Sequence, residues 1–344
     1  MARAEELLKH IDPSAMGIEV APYFNPALPK SKGFNTLILD VFDTAKLREY
    51  AARDPLIADT RIAEIEAVDI VGDASNIGEM VEQKGLSGQI HHVVSSHNFE
   101  HLPNPVKFLH GCTTALKPGG MLSMAVPDCR ACFDYFRMPT RLGDWLSSFY
   151  TNSSQPTPAQ VFDLAANRSV YVIGTDERPG CNIATDDPQG FRLVGDLKDA
   201  FDRYLDALKS PGTYHDTHCT IMFNHSLELM LRDLRYLGLL DLEIVEISPP
   251  TGHEFFVHLR KTGPATAISP VEYQKTRERL LRLISEGLGA SPYRDRAPRQ
   301  VASSLLSKLR RGTKSAARRL VGDDTYKTLR EANRQRRLRL KQPK

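Results

Sequence analysis

Residues 89–128 have the sequence QIHHVVSSHNFEHLPNPVKFLHGCTTALKPGGMLSMAVPD. The apolar run at residues 89–95 predicts a strand, and residues 105–116 carry apolar side chains at helical spacing. Residues 117–120 (KPGG) predict a tight turn, because proline fixes φ and glycine accepts a positive φ. Residues 121–126 predict a second strand. A strand, a helix and a strand in this order predict a βαβ unit with parallel strands.

The same alternation extends in both directions from this unit. The predicted strands lie at residues 17–20, 35–40 and 66–72 upstream, and at 242–247 and 254–259 downstream. Helices are predicted at residues 44–52, with Asp43 or Thr44 as the N-cap, and at residues 226–237. The last two strands predict a terminal antiparallel pair. We therefore expect an α/β fold with one Rossmann-like, mostly parallel sheet.

Acidic residues follow the early strands of this predicted sheet. Asp40 and Asp73 come directly after or at the end of two strands, and Glu19 lies at the end of the first. Ligands of parallel sheets bind beyond the carboxyl ends of the strands. Asp40 lies 21 residues after Glu19, a spacing typical of a carboxylate that accepts hydrogen bonds from ribose hydroxyls. The alternative for each residue is a solvated or turn-forming acid.

The chain combines an acidic body with a basic tail. It has 344 residues, of which 41% are hydrophobic and 25% charged, and a net charge of +3. Residues 1–263 hold 24 Lys and Arg against 35 Asp and Glu, whereas residues 264–344 hold 21 against 7. We expect a domain at residues 1–263, with an insertion at about 128–215 that contains helices at 159–168 and 197–208. We expect residues 264–344 to form a basic helical tail that is partly disordered.

The basic tail suggests three roles. Residues 303–341 combine Lys and Arg with a partial leucine face, which favours a peripheral contact with an anionic membrane or a lipid-linked substrate. Nucleic-acid phosphates would attract the same charges, but few aromatic side chains are present for base stacking, so nucleic acid is the weaker alternative. A solvated tail is the third interpretation.

Several classes of protein are disfavoured by the sequence. It has no apolar run of membrane-spanning length and no signal-peptide pattern, so we expect a cytoplasmic protein. Five cysteines without regular spacing argue against a disulfide framework, and Cys129-x-x-Cys132 lacks the second pair of a zinc site. There is no Gly-x-Ser-x-Gly elbow and no phosphate-binding P-loop, which disfavours triad hydrolases and NTP hydrolases.

The order of motifs resembles the class I S-adenosylmethionine-dependent methyltransferases, and within them a bacterial branch with a GLEIGP-like loop. The resemblance covers roughly residues 10–261. The motifs that carry it are GIEVAP at residues 17–22, Asn25-Pro26, SHNFEH at residues 96–101, LKPGG at residues 116–120, Asp216-x-His218 and EFFV at residues 254–257. The resemblance implies a mostly parallel sheet with an antiparallel last strand, and S-adenosylmethionine as the cofactor.

The resemblance also implies which residues would hold that cofactor. These residues are Glu19, Val20, Ala21, Asp40, Asp73, Ala74, Ser96 and His97. Glu19 would organise the methionine end through its loop, Asp40 would bind the ribose, and Asp73 with Ala74 would flank the adenine. The family usually has glycine at the position of Ala21, and the added methyl group would weaken or abolish cofactor binding.

Three histidines are candidates for a general base, in the order His97, His101 and His218, because a hydroxyl acceptor must lose a proton. No metal is predicted, since Pro103 and Pro105 leave little room for a helix and no third ligand is evident beside the pair of histidines.

The leading hypothesis is therefore a methyltransferase for a small-molecule, glycan or lipid-linked sugar acceptor, which the insertion would recognise. A catalytically silent binding module and a nucleic-acid methyltransferase are the alternatives.

Overall fold

Residues 89–128 form the predicted strand–helix–strand unit in the computed structural model. The structure describes residues 3–55, 57–210, 212–213, 215–264 and 268–289. The strands of this part of the chain are β1 (Gly17–Val20), β2 (Thr36–Asp40), β3 (Ile70–Val71), β4 (Ile90–Ser96), β5 (Leu116–Pro127), β6 (Ser169–Ile173), β7 (Asp176–Arg178), β8 (Phe191–Leu193), β9 (Leu242–Ile247) and β10 (Glu254–Lys261). The α-helices are α1 (Arg3–Leu8), α2 (Thr44–Arg53), α3 (Asp59–Ile62), α4 (Ile77–Gln83), α5 (Pro105–Ala115), α6 (Leu142–Tyr150), α7 (Pro158–Asn167), α8 (Leu197–Lys209), α9 (Asn224–Tyr236) and α10 (Pro270–Gly289). Short 3₁₀ helices lie at Lys30–Lys32, Ala74–Asn76, Phe99–His101 and Pro188–Gly190.

The main sheet has seven strands in the order β3-β2-β1-β4-β5-β10-β9. Strands β1 to β5 pair in parallel, whereas β10 is antiparallel to both β5 and β9. The chain leaves β1 toward β2 and β3 and returns to β4 on the other side of β1, which makes the space between β1 and β4 the topological switch point. The predicted class I methyltransferase sheet, including its antiparallel last strand, is confirmed.

Alternating side chains of the strands build a core on each face of the sheet. Val93 packs in the larger core with helices α4, α5 and α9, and its neighbour Val94 packs in a smaller core that contains Leu7 of α1 and Leu28. Successive residues of a strand point to opposite faces, so one strand supplies both cores. Both faces are covered, as a parallel sheet requires.

Local signals explain where the elements begin. Asn104 caps α5 by accepting a hydrogen bond from the backbone N–H of Lys107 at 3.1 Å, and Pro105 occupies the first helical turn. Asp43 caps α2 in the same way through Lys46 N, at 2.8 Å. The predicted strand at residues 66–72 is shorter than expected, because only Ile70–Val71 pairs with β2. The predicted turn at residues 117–120 is a bulge inside β5, with Gly119 at φ +76°.

Residues 128–215 depart from the alternating pattern of strands and helices. The helices expected at residues 159–168 and 197–208 are present as α7 and α8. Helix α6 and a small antiparallel sheet of order β7-β6-β8 in this segment are not predicted from the sequence. These strands have three to five residues, too few for a clear period-two pattern.

Helix α10 packs on α9, although it begins after residue 263, the predicted end of the domain. The rings of Tyr236 and Tyr273 stack at 3.9 Å between centroids, and the Tyr273 hydroxyl donates to Asp233 at 2.6 Å. None of the helices in the described residues has the length and apolar character that crossing a bilayer requires. The basic segment 303–341 lies outside the described residues, and its membrane contact stays a prediction.

Candidate functional site

The predicted cofactor residues lie along one edge of the main sheet. Strand pairing places Val20 beside Leu39 of β2 and Ser95 of β4, and Asp40 beside Val71 of β3. The carboxyl ends of β3, β2, β1 and β4 therefore lie side by side. The residues expected to bind a cofactor follow these four ends, which is where a doubly wound sheet binds its ligand.

Glu19 organises the loop that follows β1. Its side chain is buried, and its two carboxylate oxygens accept hydrogen bonds from the backbone N–H groups of Ala27 at 2.6 Å and Leu28 at 3.0 Å. Burial raises the pKa of this carboxyl group, and the two backbone hydrogen bonds oppose that rise. Glu19 therefore holds the loop that follows β1 in place through two backbone N–H groups. Val20 is buried in the larger core and leaves only its backbone for a ligand.

Asp40 ends β2 with a buried carboxylate that accepts a hydrogen bond from the Phe42 N–H at 3.0 Å. Burial raises its pKa, against the effect of the backbone hydrogen bonds. A carboxylate has about four acceptor positions, so Asp40 has capacity for the hydroxyl donors of a ligand. Val41, Phe42 and Val71 beside it are 57%, 38% and 56% exposed, which leaves an apolar surface at the ends of β2 and β3.

Asp73 caps the 3₁₀ turn that follows β3. Its carboxylate accepts a hydrogen bond from Ser75 N at 2.7 Å, and Ala74 is buried beneath the turn. This contact fits the turn-forming alternative as well as a ligand role. The buried Ser75 hydroxyl makes no hydrogen bond within the described residues.

The loops after β1 and β4 contain backbone in the left-handed region. Ala21, Tyr23 and His97 have φ values of +49°, +51° and +50°, and Asn152 is the other non-glycine residue of this kind in the described chain. Such conformations are unfavourable for residues with a Cβ and cluster at functional sites. Ala21 thus keeps the conformation that glycine, the usual residue of the resembling family, adopts without strain.

An ion-pair network fixes His97 beyond the end of β4. His97 Nε2 lies 2.9 Å from Oε2 of Glu254, and its Nδ1 lies 3.4 Å from Oε1 of Glu100. Arg3 makes two hydrogen bonds to Glu254, at 2.7 and 2.8 Å, and a third to the hydroxyl of Ser96 at 2.8 Å. Burial lowers the pKa of His97, but the two carboxylates outweigh it and raise the pKa to about 9. Burial likewise opposes the charges that hold the pKa of Glu254 at about 2.

His101 and His218 lie next to each other. Their ring centroids are 4.6 Å apart in a T-shaped arrangement. His101 Nδ1 lies 2.9 Å from Oδ1 of Asp216, and His218 Nδ1 lies 2.5 Å from Oδ2 of Asp134. Burial lowers the pKa of His101, and Asp216 and Glu100 raise it above its usual value.

Asp134 is itself held by a buried arginine. Arg137 donates to its Oδ1 at 2.8 Å, to the carbonyl oxygen of His218 at 3.0 Å and to Asp163 at 2.6 Å. Burial raises the pKa of Asp134, but His218 and Arg137 outweigh it and lower the pKa below its usual range. Asp134 therefore stays ionised and orients the His218 ring.

A cavity of about 650 Å³ opens in front of these histidines. The sheet edge supplies His97, and the insertion supplies Phe133, Arg168 and Arg178. The guanidinium of Arg168 lies 5.6 Å from the centre of the Phe133 ring. The cavity has the size of a small-molecule site, and two arginines give it a cationic wall.

His97, His101 and His218 are predicted from the sequence, but the roles of the groups that hold them are not. These groups are Arg3, Glu100, Asp134, Arg137, Asp216 and Glu254. Glu100 has a local signal, since it stands within the SHNFEH motif. Asp216 and Glu254 likewise stand within motifs, Asp216-x-His218 and EFFV at residues 254–257, whereas Arg3, Asp134 and Arg137 have no such signal. Cys129 and Cys132 are free, buried thiols whose pKa values burial raises well above the usual range, in line with an incidental spacing.

No protein-family model and no curated protein matches the sequence. Solved structures do align with it. One is the PH0226 protein of Pyrococcus horikoshii OT3, with 14% identity over 76% of this chain and 90% of that chain and a TM-score of 0.36. Another is an S-adenosylmethionine-dependent methyltransferase from Mesorhizobium loti, with 12% identity over 75% of this chain and 98% of that chain and a TM-score of 0.37. A third is a SAM-dependent methyltransferase from Aquifex aeolicus, with 10% identity over 75% of this chain and 89% of that chain and a TM-score of 0.34. The fold assignment follows from the order and direction of the strands. The chain has the class I methyltransferase fold.

Proposed function

We propose that this protein is an S-adenosylmethionine-dependent methyltransferase that acts on a small-molecule or glycan acceptor. The observation that carries the proposal is the position of two features at one edge of the sheet. Buried carboxylates lie at the ends of β1 and β2, exposed apolar side chains lie beside them after β2 and at the end of β3, and an acceptor-sized cavity begins at His97, after β4. A cofactor bound at the ends of β1, β2 and β3 would direct its sulfonium methyl group toward the cavity, because β1 and β4 are neighbours.

The residues present fit the adenosine part of the cofactor. Asp40 offers a buried carboxylate to ribose hydroxyls, and Val41, Phe42 and Val71 offer apolar surface to a purine ring. Glu19 would support the methionine part through the loop it holds. When bound, S-adenosylmethionine supplies an electrophilic methyl group on a positively charged sulfur.

The side chains around the cavity would position the acceptor and manage its proton. Holding an acceptor in line can contribute roughly 7–11 kcal/mol to a transfer reaction. A hydroxyl acceptor loses its proton as its oxygen forms the new bond to carbon, and a neutral imidazole can take that proton. His97 is poorly suited at neutral pH, since a pKa of about 9 keeps it protonated. His101 and His218 are the better-placed candidates. Arg168 and Arg178 favour an acceptor that carries an anionic group.

A thermal-shift measurement tests the cofactor. We expect S-adenosylhomocysteine at 100 times its dissociation constant to stabilise the protein by about 2.7 kcal/mol and to raise the Tm by several degrees. Asp40→Ala should lose this shift. Asp43→Ser is the matched control, because Asp43 is an acid of the same loop whose helix-capping role serine can take over. No shift of the wild-type protein at millimolar ligand would overturn the proposal.

A silent binding module is the second candidate, and Ala21 is the observation that favours it. The Ala21 methyl group stands in the loop where the resembling family has glycine. In that case the cofactor would bind weakly or not at all, and the cavity would still bind its ligand. Titration of the protein with S-adenosylhomocysteine separates the two functions. Only the enzyme requires a Tm shift that is lost in Asp40→Ala.

A further inference from the structure

Three side chains at the cavity form a cluster with the composition of a metal site. Glu100, His101 and His218 each offer one ligand atom, and these atoms lie within 4.8 Å of one another. All three residues line the cavity. The sequence shows no third ligand beside His101, but the fold supplies one from 117 residues further along the chain.

Glu100 provides an independent sign that a cation belongs here. Its side chain is 1% exposed, and its Oε2 makes no hydrogen bond within the described residues. The other oxygen, Oε1, pairs with His97 at 3.4 Å. A buried carboxylate oxygen without a partner is costly and is found where an ion or an ordered water completes the structure.

Both histidines are oriented as metal ligands are. Their Nδ1 atoms pair with the carboxylates of Asp216 and Asp134, which leaves Nε2 on each ring for a metal. Metal-binding histidines in proteins usually donate their other ring N–H to a carboxylate, which fixes the tautomer and increases the basicity of the ligand atom. The cluster therefore has two such carboxylate–histidine pairs and one carboxylate ligand.

We propose that Glu100, His101 and His218 bind one divalent transition-metal ion, with zinc as the best-suited ion, and leave a coordination position open to the cavity. Two imidazoles and a carboxylate are a typical ligand set for catalytic zinc. Ligands about 2.1 Å from a tetrahedral ion lie about 3.4 Å apart. The longest separation in the cluster must thus contract by up to about 1.4 Å, which the partly exposed His101 side chain can accommodate by rotation.

The open position would hold an oxygen ligand from the cavity. If the proposed methyltransferase function holds, on which this step rests, that ligand is the acceptor hydroxyl, whose pKa the ion would lower so that its proton can pass to water in the open cavity. His101 and His218 would then be ligands and not general bases. Metal binding itself does not depend on the methyltransferase function, so the two proposals can fail separately.

Titration of the metal-free, untagged full-length protein with Co²⁺ tests the site. Co²⁺ is a spectroscopic probe for zinc sites, and we expect one equivalent to produce visible absorption bands that Zn²⁺ then abolishes. Glu100→Gln and His101→Gln should each weaken Co²⁺ binding at least 100-fold. His253→Gln is the matched control, because His253 lines the same cavity but lies outside the cluster. It should bind Co²⁺ as the wild type does.

Two results would overturn the metal site. One is the absence of Co²⁺ bands in the wild type at 100 µM metal. The other is equal Co²⁺ binding by the wild type, Glu100→Gln and His101→Gln, which would show that the ion binds elsewhere. Circular dichroism checks that each variant is folded, and His101→Gln keeps the test decisive if Glu100→Gln unfolds, since His101 is partly exposed. The S-adenosylhomocysteine shift of the metal-free protein reports separately on the cofactor site.

Discussion

His218 Nδ1 lies 2.5 Å from Oδ2 of Asp134, a residue 84 positions earlier in the chain. This contact joins the start of the insertion to the segment that follows it. It also fixes the His218 tautomer with the proton on Nδ1, since an ionised carboxylate can only accept. Nε2 of His218 is therefore left with its lone pair, which suits either a metal ion or an acceptor proton.

We expect Asp134→Asn to weaken Co²⁺ binding by about 10- to 100-fold, the usual effect of losing a partner of a metal-binding histidine. The asparagine amide can donate to Nδ1 and place the proton on Nε2, which removes the lone pair from the cavity side. The measurement is the Co²⁺ titration described above.

Asp163→Asn is the control for this variant. Asp163 accepts from Nε of Arg137, whereas Asp134 accepts from Nη1, so the substitution disturbs the same arginine but leaves the contact between Asp134 and His218 in place. Equal losses of Co²⁺ binding in the two variants would show that Asp134 acts through general stability and not through the His218 tautomer.

The sequence predicts the residues at the carboxyl ends of the strands better than it predicts the contacts around the cavity. Asp40 and Asp73 follow strands, so the rule for carboxyl ends of parallel strands places them without any knowledge of tertiary contacts. His101 and His218 can be named as candidates, but their pairing cannot be predicted, because only the folded chain brings Asp216 beside His101 and Asp134 beside His218. The sequence instead places His97 and His101 in one motif, whereas in the structure His97 pairs with Glu254.

Gly17 is required at the start of β1 by a neighbouring ring. A Cβ at this position would lie 2.0 Å from Nε2 of the buried His92 on the adjacent strand β4. We expect Gly17→Ala to destabilise the protein by about 1–3 kcal/mol, as overpacking of a core does. Urea denaturation measures the effect. The double variant Gly17→Ala/His92→Ala should recover part of the loss, and strictly additive effects would contradict direct contact between the two residues.

His92 should also make the folded state sensitive to acid. Among the residues that the structure describes, neither buried ring nitrogen has a hydrogen-bond partner, and burial together with the nearby His91 lowers the pKa of His92 to about 4, whereas Asp12 acts to raise it. Protons therefore bind the unfolded state first. The stability associated with His92 is complete above pH 6.5 and is lost as the pH falls from 6.5 toward 4, by up to about 3 kcal/mol.

Urea midpoints at pH 7.5, 6 and 5 measure this loss. His92→Leu should show a smaller decrease over the same range, because leucine has no proton to gain. The comparison uses the change with pH within each protein, so a general destabilisation by the substitution does not affect it. A decrease of the same size in both proteins would assign the acid sensitivity to other groups.

Ala21→Gly tests what the methyl group does in the loop after β1. Removing the strain of the left-handed backbone should raise the free energy of unfolding by about 1–2 kcal/mol. The greater freedom of glycine in the unfolded chain lowers it by about 0.5–1 kcal/mol. We therefore expect a small rise in Tm together with at least a threefold gain in affinity for S-adenosylhomocysteine, measured by calorimetry. Asn152→Gly relaxes a second left-handed residue outside this loop and is the control for the Tm alone, because Asn152 lines a cavity together with Asp73. Because Ala21 also packs against the larger core, a lower Tm with no gain in affinity would show that its methyl group stabilises the loop and does not obstruct the cofactor.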